Sequence, residues 1–301
     1  MIPCFPDFVP VSLEQRDELV PFFAGIKDGM CEHSFATLFL DSGRYGYRIS
    51  RYDDGCYLIK GEAGRWVRAG FLHIFGNFPA DDAFRELIRH PALAACSFLT
   101  LIPEELVTER ESLFASLGLH VMFGRDNSDY LYERTALAEL KGKAFHKKKN
   151  LVNQFLHAHE GRVEAIGERT LADALSVLES WKEKRLSRGE DEGDYVQCSL
   201  ALRYWQELGL SGIVVYADGQ AAGFSLGERL GNAAMYDVHF EKAVEGVHGI
   251  YQAVNWYAAR SLPEDIVLIN REQDLGDEGL RQAKQSYRPC GMVNKYWVPL
   301  A

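Results

Sequence analysis

The alternation of apolar and polar positions changes period many times along this chain, and each change marks an element. Over 13–23 apolar residues recur at helical spacing behind Ser12, which predicts a capped helix. Short apolar or alternating runs over 45–52, 56–60 and 66–75 predict strands, with Asp53-Asp54-Gly55 and Ala63-Gly64 as their turns. Helices over 81–89 and 103–117 and strands over 120–123 and 130–134 complete the first half. The second half repeats the order: helix 145–159, strand 162–166, helices 171–188 and 200–208, then a strand pair 212–216 and 222–229 turned at Asp218-Gly219. Strand 233–240, helix 249–259, strand 266–269, a further helix and strand 293–298 close it. Two rounds of this order predict an α+β chain of two tandem domains, 1–135 and 136–301, each a mixed, mostly antiparallel sheet flanked by helices.

Composition agrees with that division, since 301 residues at 47% hydrophobic content can bury two cores. No apolar run approaches the ~18 residues that span a bilayer, and the start lacks a basic and then apolar leader. A soluble, cytoplasmic protein without stable membrane insertion is the expectation. Cys4, Cys31, Cys56, Cys96, Cys198 and Cys290 contain no C-x-x-C pair, which fits reduced thiols rather than a disulfide frame or a zinc site. The net charge of −10 excludes coating of nucleic acid through a general field, so an anionic ligand must be met locally.

The sharpest change of character follows the apolar run 266–269, where Asn270-Arg271-Glu272-Gln273-Asp274-Leu275-Gly276 begins. Charged residues at a strand-to-helix junction are where an open α/β sheet binds ligands. Asp274 or Asp277 can cap the next helix, but a cap uses one acceptor and leaves Arg271, Glu272, Lys284 and Tyr287 unexplained. Arg271 suits a carboxylate or phosphate, and Glu272 or Asp274 suits an ammonium. Tyr251 and Asn255, one helical turn apart, join Lys284 and Tyr287 as further substrate-binding candidates. On strand 233–240, alternation puts Asp237, His239 and Glu241 on one face, and with Glu228 they are the catalytic candidates. A solvated sheet face is the competing reading. Flanking carboxylates would raise the His239 pKa, which suits an acid better than a base; a carboxylate base, or His239 acting with one, both stay open.

Lys147, Lys148 and Lys149 run without an intervening acid and meet Asn150 and Asn153 at helical spacing; the block suits a donor's phosphates. Gly246 and Gly249, ahead of a helix, can admit phosphate to its N-terminus. The second basic run, 182–188, carries Glu183 and reads as a solvated face. His157 and His159 do not share a helix face, so no metal site is expected.

Taken together, Cys31-Glu32-His33-Ser34-Phe35-Ala36-Thr37, Gly142-Lys143, Lys148-x-Asn150-x-x-Asn153, the run from Asp237 to Lys242, Gly249-Ile250-Tyr251-Gln252 and the run from Asn270 to Gly276 resemble bacterial proteins related to the C-terminal domain of phosphatidylglycerol lysyltransferase. The resemblance implies two tandem GNAT-like (acyl-CoA N-acyltransferase-like) folds. These are similar to Fem-type transferases, which move an amino acid from aminoacyl-tRNA to an amine or hydroxyl. It further implies an acyl- or aminoacyltransferase whose site lies in the second fold, with aminoacyl-tRNA or acyl-CoA as donor and a small molecule or peptide as acceptor. The tRNA acceptor end is the implied macromolecular partner. Two departures matter. No lipid-facing amphipathic stretch is present, and at the pyrophosphate turn Glu245 replaces a cation while Tyr251 replaces a small residue, which favours an aminoacyl donor over acetyl-CoA. An acetyl-CoA-dependent N-acetyltransferase and a non-catalytic ligand-binding module are the alternatives. Glu32 and His33 form no comparable cluster in the first fold, which is expected to support the second.

Overall fold

Two seven-stranded sheets organise the chain in a computed structural model that describes residues 1–63, 69–231 and 234–300. The expected Ala63-Gly64 turn and the starts of the strands at 66 and 233 lie outside the described residues. Two compact units result, one of Met1–Ser128 with Val293–Ala301, the other of Asp129–Met292.

The first unit contains β1 (Val9–Pro10), α1 (Arg16–Ala24), α2 (Phe35–Tyr45), β2 (Arg48–Asp53), β3 (Cys56–Ala63), β4 (Ala69–Gly76), α3 (Asp81–Leu87), β5 (Cys96–Pro103), α4 (Glu104–Glu109), α5 (Glu111–Ser116) and β6 (Met122–Phe123). The second begins with β7 (Asp129–Glu133), α6 (Arg134–Glu139), α7 (His146–Ala158), β8 (Gly161–Ala165), α8 (Leu171–Ser187), α9 (Tyr195–Arg203) and β9 (Ser211–Ala217). It continues through β10 (Gln220–Arg229), β11 (Met235–Ala243), α10 (Ile250–Ser261), β12 (Leu268–Asn270), α11 (Glu278–Gln285) and β13 (Gly291–Val293). The last strand, β14 (Lys295–Pro299), pairs with β5 and β6 in the first sheet, whereas sequence order had placed it in the second half.

Four further differences stand between expectation and structure. Helix α2 was not predicted, although Ser34 caps it by accepting from the Thr37 amide at 3.0 Å and Phe35, Ala36, Leu38 and Leu40 are buried. Strand β5 was missed because its period is broken: Thr100 and Leu101 together stand opposite Trp297, and Leu101 takes a φ of 56°. The 103–117 helix divides at Arg110 into α4 and α5, and α9 starts at Tyr195, ahead of the expected 200–208, and ends at Arg203.

The second sheet runs β13-β7-β12-β11-β10-β9-β8, and within it β11 and β12 pair in parallel. Helices α7 and α10 pack Phe155, Ile250, Ala253 and Val254 against Ile213 and Val215; full burial of one such large side chain contributes about 1.5–3 kcal/mol. Gly249 lets α10 start directly against α7, since a Cβ there would lie 2.3 Å from the Leu151 carbonyl oxygen. What positions the site is the end of the parallel pairing. It stops at Asp237 opposite Asn270; β11 then continues to Ala243 while β12 gives way to a loop.

Candidate active site

His239 stands at an irregularity of β11. Leu226 lies opposite Phe240 and Gly227 opposite Val238, so His239 is the extra residue of a bulge. Gly227 permits it, because a Cβ would come within 1.9 Å of the Asp237 carbonyl oxygen. The next pair, Glu228 opposite Asp237, brings two carboxylates to the imidazole. His239 Nε2 lies 3.0 Å from Glu228 Oε1, and Nδ1 lies 2.9 Å from Glu272 Oε1 and 3.4 Å from Asp237 Oδ2. Only 3% of the ring side chain is exposed. Burial opposes a charged ring, but Asp237 and the bonds to Glu228 and Glu272 outweigh it and hold the His239 pKa well above its ordinary value. With both ring nitrogens protonated, each donates to a glutamate. Burial pushes the Asp237 carboxyl well above the usual carboxylate range, offset in part by His239, with Glu272, Asp129 and Glu228 pushing the same way as burial. Neither Asp237 oxygen has a hydrogen-bond partner among the described residues.

Glu272 reaches the ring because the β12–α11 loop is bent and clamped. Asn270 Oδ1 accepts from the Glu272 amide at 2.7 Å, and Glu272 and Leu275 take left-handed φ values of 56° and 52°. Lys284, 8% exposed, donates to the Arg271 carbonyl and, at 3.1 Å, to that of Glu272. Asp274 is fully buried: it accepts from Arg281 Nε and Nη2, each at 3.0 Å, from the Tyr130 hydroxyl at 2.6 Å and from the Gly276 amide at 3.0 Å. Asp277 is the cap of α11, accepting from Leu280 N at 2.7 Å.

Glu241 pairs with Arg271 and accepts from Asn255 Nδ2 at 3.1 Å. Burial disfavours charge on Arg271, but Glu241, Tyr132 and Tyr287 keep its pKa raised. Its guanidinium lies 4.9 Å from the Tyr287 ring centroid and 5.6 Å from that of Tyr132.

Residues 23–298 match the family described as phosphatidylglycerol lysyltransferase, C-terminal. The chain belongs to this family. A conserved protein of unknown function from Bacteroides thetaiotaomicron is similar over 100% of both chains, at 28% identity and a TM-score of 0.84. The structure of L-PGS from Bacillus licheniformis covers 100% of this chain with 94% of its own, at 14% identity and a TM-score of 0.64. FemX shares the fold at a TM-score of 0.54 and 8% identity, over 97% of this chain and 96% of its own. No curated protein matches the chain by sequence. Both units thus carry the fold of tandem GNAT and Fem-type proteins, and the lysyltransferase-family chain has an acyl or aminoacyl transferase fold.

Within this family member the structure gathers Glu228, Asp237, His239 and Glu272 into one cluster and Glu241, Asn255 and Arg271 into a second, which meet at the adjacent residues Arg271 and Glu272. Asp274 and Lys284 support the loop beneath it. Lys148 joins the group through the Tyr287 ring, 4.3 Å away, while Lys147, Asn150 and Asn153 are exposed along α7. Gly246 and Gly249 flank the N-terminus of α10 with φ values of 87° and 77°, and Tyr251 is 44% exposed on its first turn. Sequence reasoning missed Tyr130, Tyr132, Asp129 and Arg281. The first three lie on β7, where the apolar alternation gave no hint of their contacts; Asp129 accepts from Asn270 at 3.1 Å. Arg281 carried a signal, four residues past Asp277 on a helix that brings it back over the loop.

Proposed function

We propose that this chain is an aminoacyltransferase that moves an aminoacyl group from the ester of an aminoacyl-tRNA to an amine or hydroxyl acceptor. The observation that carries the reading is the caged His239 beside the Glu241–Arg271 pair, placed where β11 and β12 part company. A protonated imidazole whose two N–H groups are both engaged is no proton acceptor. It fixes Glu228 and Glu272, and of these Glu272 keeps more of its side chain exposed, 26% against 14%. In this reading Glu272 takes the proton from the attacking acceptor nitrogen or oxygen. The acceptor atom then bonds to the ester carbonyl carbon, and the tetrahedral oxyanion collapses with cleavage of the C–O bond to the tRNA ribose oxygen, which leaves with the proton returned by Glu272. Membership of the lysyltransferase family and the fold shared with FemX support the same donor class.

Glu272→Gln tests the assignment. It keeps a hydrogen bond to His239 but cannot accept a proton, so the single-turnover transfer rate should fall at least ~10-fold, about 1.4 kcal/mol of barrier. An unchanged rate removes Glu272 from the proton transfer.

One observation favours a second reading, an acyl-CoA donor. Glu245, whose charge would repel pyrophosphate, is paired with Arg188 and, at 3.6 Å, with Lys184. No described atom lies within 4 Å of where a Gly246 Cβ would be. Saturable coenzyme A binding that is weakened by Arg188→Gln would support this second reading.

A further inference from the structure

Two cations, Lys148 and Arg271, lie against one aromatic ring in the second unit, that of Tyr287, whose own hydroxyl is a third donor. Nη1 of Arg271 is buried and has no hydrogen-bond partner among the described residues. Lys148 Nζ, 4.3 Å from the Tyr287 ring centroid, makes no ion pair among the described residues. The Tyr287 hydroxyl makes no hydrogen bond there either, although the residue is only 6% exposed. Lys148 and Arg271 are therefore like charges on a shared ring in a chain of net charge −10. Glu241 answers one side of Arg271 only. Lys148 feels the cost: burial and, next, the Arg271 charge lower its pKa. Burial pushes the Tyr287 phenol up to about 12, so it remains a donor at neutral pH. A buried donor left unpaired costs about 1–3 kcal/mol, and an anion would satisfy it while relieving the cation pair.

We infer that Arg271, Lys148 and Tyr287 form a single oxyanion-binding site that takes a phosphate or carboxylate group. Lys148 is half-buried and supplies the solvent-facing side of the site. The inference does not need the transfer reaction to be aminoacyl transfer, because an acyl donor's phosphate or a substrate carboxylate would be held alike.

Calorimetric titration of the whole chain at low ionic strength tests it, with inorganic phosphate, adenosine 5′-monophosphate and N-acetylglycine as separate probes. At least one should bind saturably; adenosine 5′-monophosphate or phosphate as the stronger ligand points to the donor, N-acetylglycine to an amino-acid carboxylate. Lys148→Gln should weaken binding at least about fivefold, and added salt should shrink that difference. Tyr287→Phe, which keeps the ring and removes the hydroxyl, should weaken it by about threefold. Lys149→Gln changes the same charge at an exposed neighbour and should leave binding within about twofold. Arg271 is left intact because its pair with Glu241 supports the loop. Absence of saturable binding for all three probes overturns the site, as does an equal loss in Lys149→Gln, which would assign binding to the field of α7. Binding as described in a protein that transfers nothing would leave the site standing and remove only the proposed reaction.

Discussion

At the scale of single residues, the protonation of His239 sets what the site can do. Its pKa is raised in the folded chain, so its contribution to stability is fully present below the unfolded value of about 6.5 and is lost as pH rises through the folded value. NMR titration of the ring should find it still protonated at pH values where a free imidazole is neutral, and the urea midpoint should fall as it deprotonates. A ring that titrates at or below about 6.5 would contradict the cage. Much of this was legible: period-2 alternation joined Asp237, His239 and Glu241, and two carboxylates near an imidazole implied a raised pKa. The contact from Glu272 was not, because it depends on a left-handed residue that no pattern in the sequence marks. The Tyr130–Asp274 bond joins residues 144 apart, and hydrophobic periodicity carries no information about such pairs.

At the scale of elements, the β12–α11 loop is a device for holding Arg271 and Glu272. Charge at this junction was readable from the sequence, but the division of labour was not. Asp274, expected at the substrate, has its oxygens bonded to Arg281, Tyr130 and Gly276. Asp274→Asn removes the fully buried charge of the Asp274–Arg281 pair, so it should lower unfolding stability by about 2 kcal/mol or more and slow transfer with it. A tenfold slower rate at an unchanged urea midpoint would instead put Asp274 on the substrate. The bulge at His239 was equally hidden. Gly227 inside an alternating strand was its one sequence trace, and a strand glycine can equally mark a bend or a close backbone approach.

At the scale of the whole molecule, the repeated order of elements gave the two-sheet architecture, and residue type separates the units. In the first unit the parallel pairing of β4 and β5 ends at Leu72 opposite Leu99, and the following His73 bonds Thr100 at 2.6 Å. That histidine is buried among Tyr47, Phe71 and Phe75, and burial lowers its pKa to about 3. A ring that burial keeps neutral is a weak proton acceptor, whereas the corresponding end of pairing in the second unit carries four carboxylates, an imidazolium and a guanidinium. The strand exchange at the chain's end was out of reach of the sequence, because 293–298 reads as a strand wherever it pairs. Aminoacyl transfer by the second unit can be tested by a competition between donors. Purified chain would be given tRNA charged with radiolabelled amino acids, radiolabelled acetyl-CoA and a mixture of small amines, hydroxyl compounds and peptides. Label should pass from aminoacyl-tRNA to an acceptor and be lost in Glu272→Gln; transfer from acetyl-CoA with aminoacyl-tRNA left intact would rule out aminoacyl transfer.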